Sequence, residues 1–100
     1  MSTKPKFDET IHPPNRLRIC SMLSTVSEVE FATLRDALRV SDSVLSKQLK
    51  ALEDAEYLNL RKSPVDGRTR TWAALTEQGR AAFAGHVAEL RRLAAGVLLD

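Results

Sequence analysis

Between Ser41 and Leu75 the hydrophobic period of the chain switches once, from helical to alternating, with strong punctuation on both sides of the switch. Leu45, Leu49 and Leu52 recur at i, i+4 and i+7, one stripe of a helix expected over 42–56. Ser41 is a good N-cap for it, and Asp42 falls in the first turn, where the helix dipole favours an anion. Ser43, Lys47, Lys50 and Asp54 face the opposite way, with Ser46 beside them and Gln48 between the two faces. Tyr57 to Lys62 then alternates, 64–68 is a turn built around Asp66-Gly67, and Arg70 to Leu75 alternates back. An amphipathic helix leading straight into a hairpin leaves few compact arrangements for so short a chain.

The flanking segments narrow the choice. Pro13-Pro14 suits the first turn of a helix expected over Asn15 to Val26. Its apolar residues Leu17, Ile19, Cys20, Met22, Leu23 and Val26 exceed one stripe, so two sides are covered. The second cover is either a partner subunit or the rest of the same domain. Glu28 to Phe31 alternates as a short strand, and a second helix is expected from Ala32 to Arg39, with Leu34, Ala37 and Leu38 on one face. The turn at Val40-Ser41 is as short as a helix-turn-helix requires. Thr76 N-caps a last helix, in which Phe83, Val87, Leu90, Ala94 and Val97 recur at 4-3-4-3 spacing. That seam is too short for an isolated coiled coil and pairs with a second copy of itself or with the first helix. The fold class expected is mainly α with a small β-hairpin: a winged helix-turn-helix with a C-terminal dimerisation helix. It divides as a flexible tail over 1–10, a DNA-binding unit over 11–76 and a dimerising helix over 77–100.

At 100 residues the chain holds about one small domain and leaves no room for a separate catalytic one. The net charge of +2 and pI near 9.0 give only mild support for a polyanionic partner, so the placement of the charges decides. No apolar run approaches the roughly 18 residues of a membrane span, and the N-terminus lacks the apolar stretch of a secretory signal. A cytoplasmic protein without membrane partners is expected. A single cysteine, Cys20, excludes an internal disulfide and a multi-cysteine zinc site. Cys20 reads as a small core hydrophobe; Arg16 and Arg18 lower its pKa only if the thiol is exposed.

Lys47 and Lys50 point outward with two small hydroxyls, which assigns Ser43, Ser46 and Lys47 to base edges or nearby phosphates, Lys50 to phosphate and Gln48 to backbone. The wing at 63–70 adds Arg68, Thr69 and Arg70, with Arg61 and Lys62 on the opposing strand. Four cations on one ribbon are costly to gather unless a polyanion neutralises them. Asp66 and Gly67 are assigned to the structure of the turn, Asp66 through its side chain or by pairing with Arg68. Trp72 falls on the less buried face of its strand and is expected to cover the third helix or a partner chain. Five aromatic residues, most of them placed in the core, argue against a stacking platform for single-stranded RNA. His12 and His86 fall on different elements and form no spaced pair, so no metal and no cofactor is expected. No nucleophile-base pair, Gly-rich phosphate loop or carboxylate cluster appears, and an enzyme is not expected.

Phe31 to Arg80, with Leu45-x-x-x-Leu49-x-x-Leu52-Glu53, Asp66-Gly67-Arg68 and Leu75-Thr76-Glu77-x-Gly79-Arg80, resembles the winged-helix regulators of the MarR type. The opening Phe7-Asp8-x-x-Ile11-His12-x-Pro14-x-Arg16-Leu17-x-Ile19 resembles their short bacterial and archaeal relatives of roughly a hundred residues. The resemblance implies a homodimeric transcription regulator, usually a repressor, dimerised by its first and last helices, with Leu17, Phe83, Val87, Leu90, Ala94 and Val97 at the interface. It also implies that the third helix and the wing contact double-stranded operator DNA. Glu56 stands where the family usually has glycine, so a left-handed helix end there either carries strain of about 1 kcal/mol or is replaced by another geometry. The chain is too short for the additional terminal helices of the full-length members, and nothing in the sequence names a small-molecule effector. The competing reading is a winged helix used for protein interaction, without DNA binding.

Overall fold

The N-cap at Ser41 organises the centre of the molecule: its Oγ accepts from the Val44 amide at 3.2 Å and opens helix α3 (Asp42–Asp54). The computed structural model describes residues 3–99, with side chains in the last helix as far as residue 96. Before α3 come α1 (Pro14–Ser24), β1 (Val29–Glu30) and α2 (Phe31–Leu38). After it come β2 (Leu58–Val65), β3 (Arg68–Leu75) and α4 (Glu77–Leu99). This is a winged helix-turn-helix with a long C-terminal helix.

The short turn between α2 and α3 is fixed by Arg39, whose φ of 56° ends α2 in the left-handed region, and by the Val40 amide donating to Arg35 O at 3.3 Å. The Arg35 guanidinium spans the turn, donating to Asp36 and to Asp42, each at 3.0 Å. Helix α3 ends two residues earlier than its sequence pattern suggests, because Glu56 takes a φ of 65° and the Tyr57 amide turns back to Leu52 O at 3.0 Å. Of the two alternatives at Glu56, the left-handed end is the one present, without glycine.

The sheet has the order β1-β3-β2, all antiparallel. Phe31 enters α2 rather than the strand, so β1 is only two residues long, yet it pairs Val29 with Ala73 and Glu30 with Trp72. The hairpin is longer than expected and its turn tighter: Val65 pairs with Arg68, leaving only Asp66 (φ 51°) and Gly67 (φ 77°) as a two-residue loop with both φ values positive.

Leu34 and Leu38 of α2, Leu45, Leu49 and Leu52 of α3, Ile19, Cys20 and Leu23 of α1, and Leu58, Ala73 and Leu75 of the sheet form one buried core, with Ile11 added from the N-terminal side. Val44, on the flank of the α3 leucine stripe, is 39% exposed. Thr76 locks α4 to this core: its Oγ1 donates to Glu56 O at 2.8 Å and accepts from the Gly79 amide at 2.9 Å. A Cβ on Gly79 would stand 2.1 Å from Tyr57 O, so only glycine permits this approach.

The expected flexible tail over 1–10 does not describe the segment from Lys6 onward. The Lys6 amide donates to Gly85 O at 2.9 Å, and the Asp8 amide donates to His86 Nδ1 at 2.9 Å. The Asp8 carboxylate accepts from the Ile11 amide at 3.0 Å and from the Tyr57 hydroxyl at 2.5 Å. Hydrogen bonds to α4 and to Tyr57, with the Phe7 ring packed on His12 and His86, hold this polar stretch, and its composition gave no sign of the hydrogen bonds. Met1 and Ser2 lie outside the described residues.

Candidate nucleic-acid interface

Helix α3 buries Leu45, Leu49 and Leu52 and leaves Ser43, Ser46, Lys47 and Lys50 exposed on its other side, with Gln48 half-buried between them. The helix is thus seated by its leucines so that its polar face is open. Lys47 is in no ion pair among the described residues, whereas Lys50 reaches Asp54 at 3.3 Å one turn on, an exposed contact that contributes about 0.3–0.5 kcal/mol and exchanges readily. Ser43 is tied at 3.2 Å to the Ser41 cap hydroxyl.

Alternation along the hairpin sorts the wing residues by face. Lys62 pairs with Thr71 in the same set of rows as Leu60 with Ala73 and Leu58 with Leu75, on the side that looks toward α3. A cleft of about 290 Å³ lies there, lined by Ser46, Leu49 and Lys50 of α3 and by Leu60, Lys62 and Thr71 of the sheet. Ser46, Lys50 and Lys62, assigned to one surface from the sequence, do share it; Thr71 joins them and Phe31 helps to floor the cleft.

Arg61, Arg68 and Arg70 occupy the opposite face, in rows with Trp72, Val65 and Ser63. Arg61 makes a bidentate contact with Glu28 at 2.6 and 3.2 Å and lies over the Trp72 ring, 5.6 Å from its centroid. Arg70 reaches Glu30 at 3.2 Å. The expectation that four wing cations need an external polyanion therefore fails for two of them, because β1 and the residue before it bring carboxylates alongside. Arg68 and Lys62 are in no ion pair among the described residues, and Asp66 does not pair with Arg68, so the turn is held by its backbone conformation. Trp72 does not cover α3, which lies on the other side of the sheet. Thr69 is exposed beside the tip.

Residues 15–94 match the family described as winged helix DNA-binding domain. The chain belongs to that family. A 30% identical relative over 82 residues, an uncharacterised protein of Methanocaldococcus jannaschii, covers 82% of this chain and 89% of its own length. The fold is similar to that of a transcriptional regulator homologue from Pyrococcus horikoshii, with a TM-score of 0.84 at 21% identity over 90% of this chain and 89% of that one. It is also similar to the PcaV transcriptional regulator of Streptomyces coelicolor, with a TM-score of 0.75 at 18% identity over 93% of this chain and 64% of that one. The winged-helix fold expected from the MarR-type resemblance is thus the fold observed.

In this winged-helix domain three features escaped sequence reasoning. Glu28 and Glu30 act on the wing only through the long-range pairing of β1 with β3. Arg80 donates to Ser24 O and Val26 O, closing the C-terminal end of α1 at the edge of a hollow of about 430 Å³ between α1 and α4. His12 and His86, expected on different elements, meet with Nδ1 and Nε2 3.1 Å apart, although no group of three metal-binding side chains forms among the described residues. Cys20 is buried, and burial, followed by the charge of Asp8, pushes its thiol up to about 12, which removes it from the reactive range. No described helix is long and apolar enough to cross a membrane.

The seam on α4 is half-covered. Phe83, Val87 and Leu90 are partly buried, Ala94 and Leu93 are exposed, and the side chain of Val97 lies outside the described residues. Leu17 of α1 is half-buried as well.

Proposed function

We propose that this winged-helix domain is a sequence-specific, double-stranded DNA-binding transcriptional regulator that acts as a homodimer and represses by occupying its operator. The observation that carries this reading is the open polar face of α3, with Ser43, Ser46, Lys47 and Lys50 exposed beside a cleft that also receives Lys62. An α3 seated in the major groove would bring Ser43, Ser46 and Lys47 to base edges or phosphates and Lys50 to phosphate, with Gln48 on the backbone. The tip at Gly67, Arg68 and Thr69 would then reach the neighbouring backbone or minor groove. Arg61 and Arg70 contribute only after leaving Glu28 and Glu30. Two copies joined through α1 and α4 would read half-sites about one helical turn apart.

Mobility-shift titration of genomic fragments, with and without competitor, tests the reading. Salt-dependent retention of a subset of fragments is expected, and Lys47→Ala with Arg68→Ala should abolish the discrimination and flatten the salt slope by about two. Affinity that ignores salt, or no retention at all, would replace this reading by a winged helix that docks other proteins.

A further inference from the structure

We propose that residues 6–12 form a strap latched onto α4 by a two-imidazole relay, closed while His86 is neutral and opened when His86 takes up a proton. The inference stands on the junction of the N-terminal segment with α4 and is independent of DNA binding.

The hydrogen bonds determine where each proton sits. The Asp8 amide donates to His86 Nδ1 at 2.9 Å, so that nitrogen carries no proton and the neutral ring holds its hydrogen on Nε2. Nε2 lies 3.1 Å from His12 Nδ1, so His86 donates and His12 Nδ1 accepts. A proton added to His86 Nδ1 would face the Asp8 N–H and convert an attractive pair into two opposed donors. His86 is fully buried, so no water replaces the lost partner.

The surrounding groups do not rescue the charged state. From the strap, Asp8 is the one carboxylate facing His86, and its two oxygens already accept from Ile11 and Tyr57. His12 faces the ring from the approach to α1, but its Nδ1 is already engaged by His86 Nε2 and offers no acceptor to a proton on His86 Nδ1. Tyr57, ahead of β2, and Cys20 of α1 face Asp8 rather than the ring, and both are neutral, with pKa values pushed up to about 12. Phe7 packs its ring on both imidazoles, 4.7 and 4.8 Å from their centroids, and adds no acceptor. Burial first, then His12, pull His86 below the ordinary imidazole value, with Asp8 opposing. The sign follows: the latch is complete above the unfolded pKa of about 6.5 and is lost as pH falls through the lower folded value.

The strap is light enough to release. Residues 3–7 are exposed, and Ile11 is the one strap residue in the core, so the other ties are the Lys6–Gly85 bond, the Asp8 contacts, the His12–His86 bond and the Phe7 ring on the two imidazoles. Release would uncover Gly85 and His86, which adjoin Val87 of the α4 seam.

Amide hydrogen exchange on the full chain tests this, read as protection factors between pH 7.5 and pH 5.2. Protection of the Lys6 and Asp8 amides should fall about tenfold across the interval, while the Leu49 amide in the core changes less than twofold. His86→Asn keeps an acceptor oxygen for the Asp8 amide but cannot be protonated there, so its Lys6 and Asp8 protection should be independent of pH. Constant protection in the wild type, a loss shared by Leu49, or the same acid-induced loss in His86→Asn would overturn the proposal. Should His86→Asn fail to fold, the ring nitrogen shifts of the wild type decide: at pH 7.5 His86 must carry its hydrogen on Nε2 with Nδ1 an unprotonated acceptor, and the opposite tautomer would overturn the proposal.

Discussion

Glu56 holds a φ of 65°, a conformation that costs a residue with a Cβ about 1–2 kcal/mol, and it is kept because Thr76 bonds its carbonyl and the Tyr57 amide closes on Leu52. Glu56→Gly removes the steric cost but adds freedom to the unfolded chain. A net gain of about 0.5–1 kcal/mol is expected, seen as a melting temperature higher by about 4 °C. The neighbouring Tyr57 donates to the Asp8 carboxylate, and that hydrogen bond, with burial behind it, holds its phenol at about 12. A pKa raised in the folded state means stability that is complete below pH 10 and declines between 10 and 12. Tyr57→Phe should lower stability at pH 7 by about 1–2 kcal/mol and remove that part of the alkaline decline, as measured by urea unfolding at several pH values. At this scale Glu56 was legible, because a family position that wants glycine betrays its backbone. Tyr57 was not, since its partner is 49 residues away and belongs to a segment too polar to suggest docking.

The elements were legible wherever the signal was local. The leucine stripe of α3, its cap at Ser41, the Asp66-Gly67 turn and the cap at Thr76 are written within a few residues each, and all four appear in the structure. The wing's electrostatics were not, because Arg61 meets Glu28 across 33 residues and Arg70 meets Glu30 across 40. Under the proposed function these carboxylates compete with phosphate for the two arginines. Glu28→Gln combined with Glu30→Gln should therefore tighten binding to a non-specific duplex by about threefold to tenfold at low salt, measured by fluorescence anisotropy. Weaker binding would instead mean that the carboxylates aim the arginines productively. Among single variants, Arg68→Ala should reduce the salt slope by about one, and Arg61→Ala should leave it nearly unchanged.

For the whole molecule, α4 sets the shape: 23 residues of helix span roughly 34 Å in a chain whose longest extent is 58 Å. Its second half exposes Leu93 and Ala94 beside the half-buried Leu90, a surface that a second copy would cover. Under the proposed homodimer, Leu90→Glu and Leu93→Glu together should halve the mass in sedimentation equilibrium and weaken operator binding at least tenfold, while leaving the helical signal unchanged. A pair that persists would place the interface elsewhere. The 4-3-4-3 spacing marks this seam in the sequence but cannot distinguish a partner copy from α1, since both offer apolar side chains. By itself the sequence determined what depends on neighbours along the chain: the periods of the helices and strands, their caps, and the turn of the wing. Only the tertiary structure decided what depends on partners far apart in sequence. It turned Arg61 and Arg70 toward their own carboxylates and seated the N-terminal segment on α4. It also closed His12 against His86, because a hydrogen bond between remote residues leaves no periodic trace in either segment.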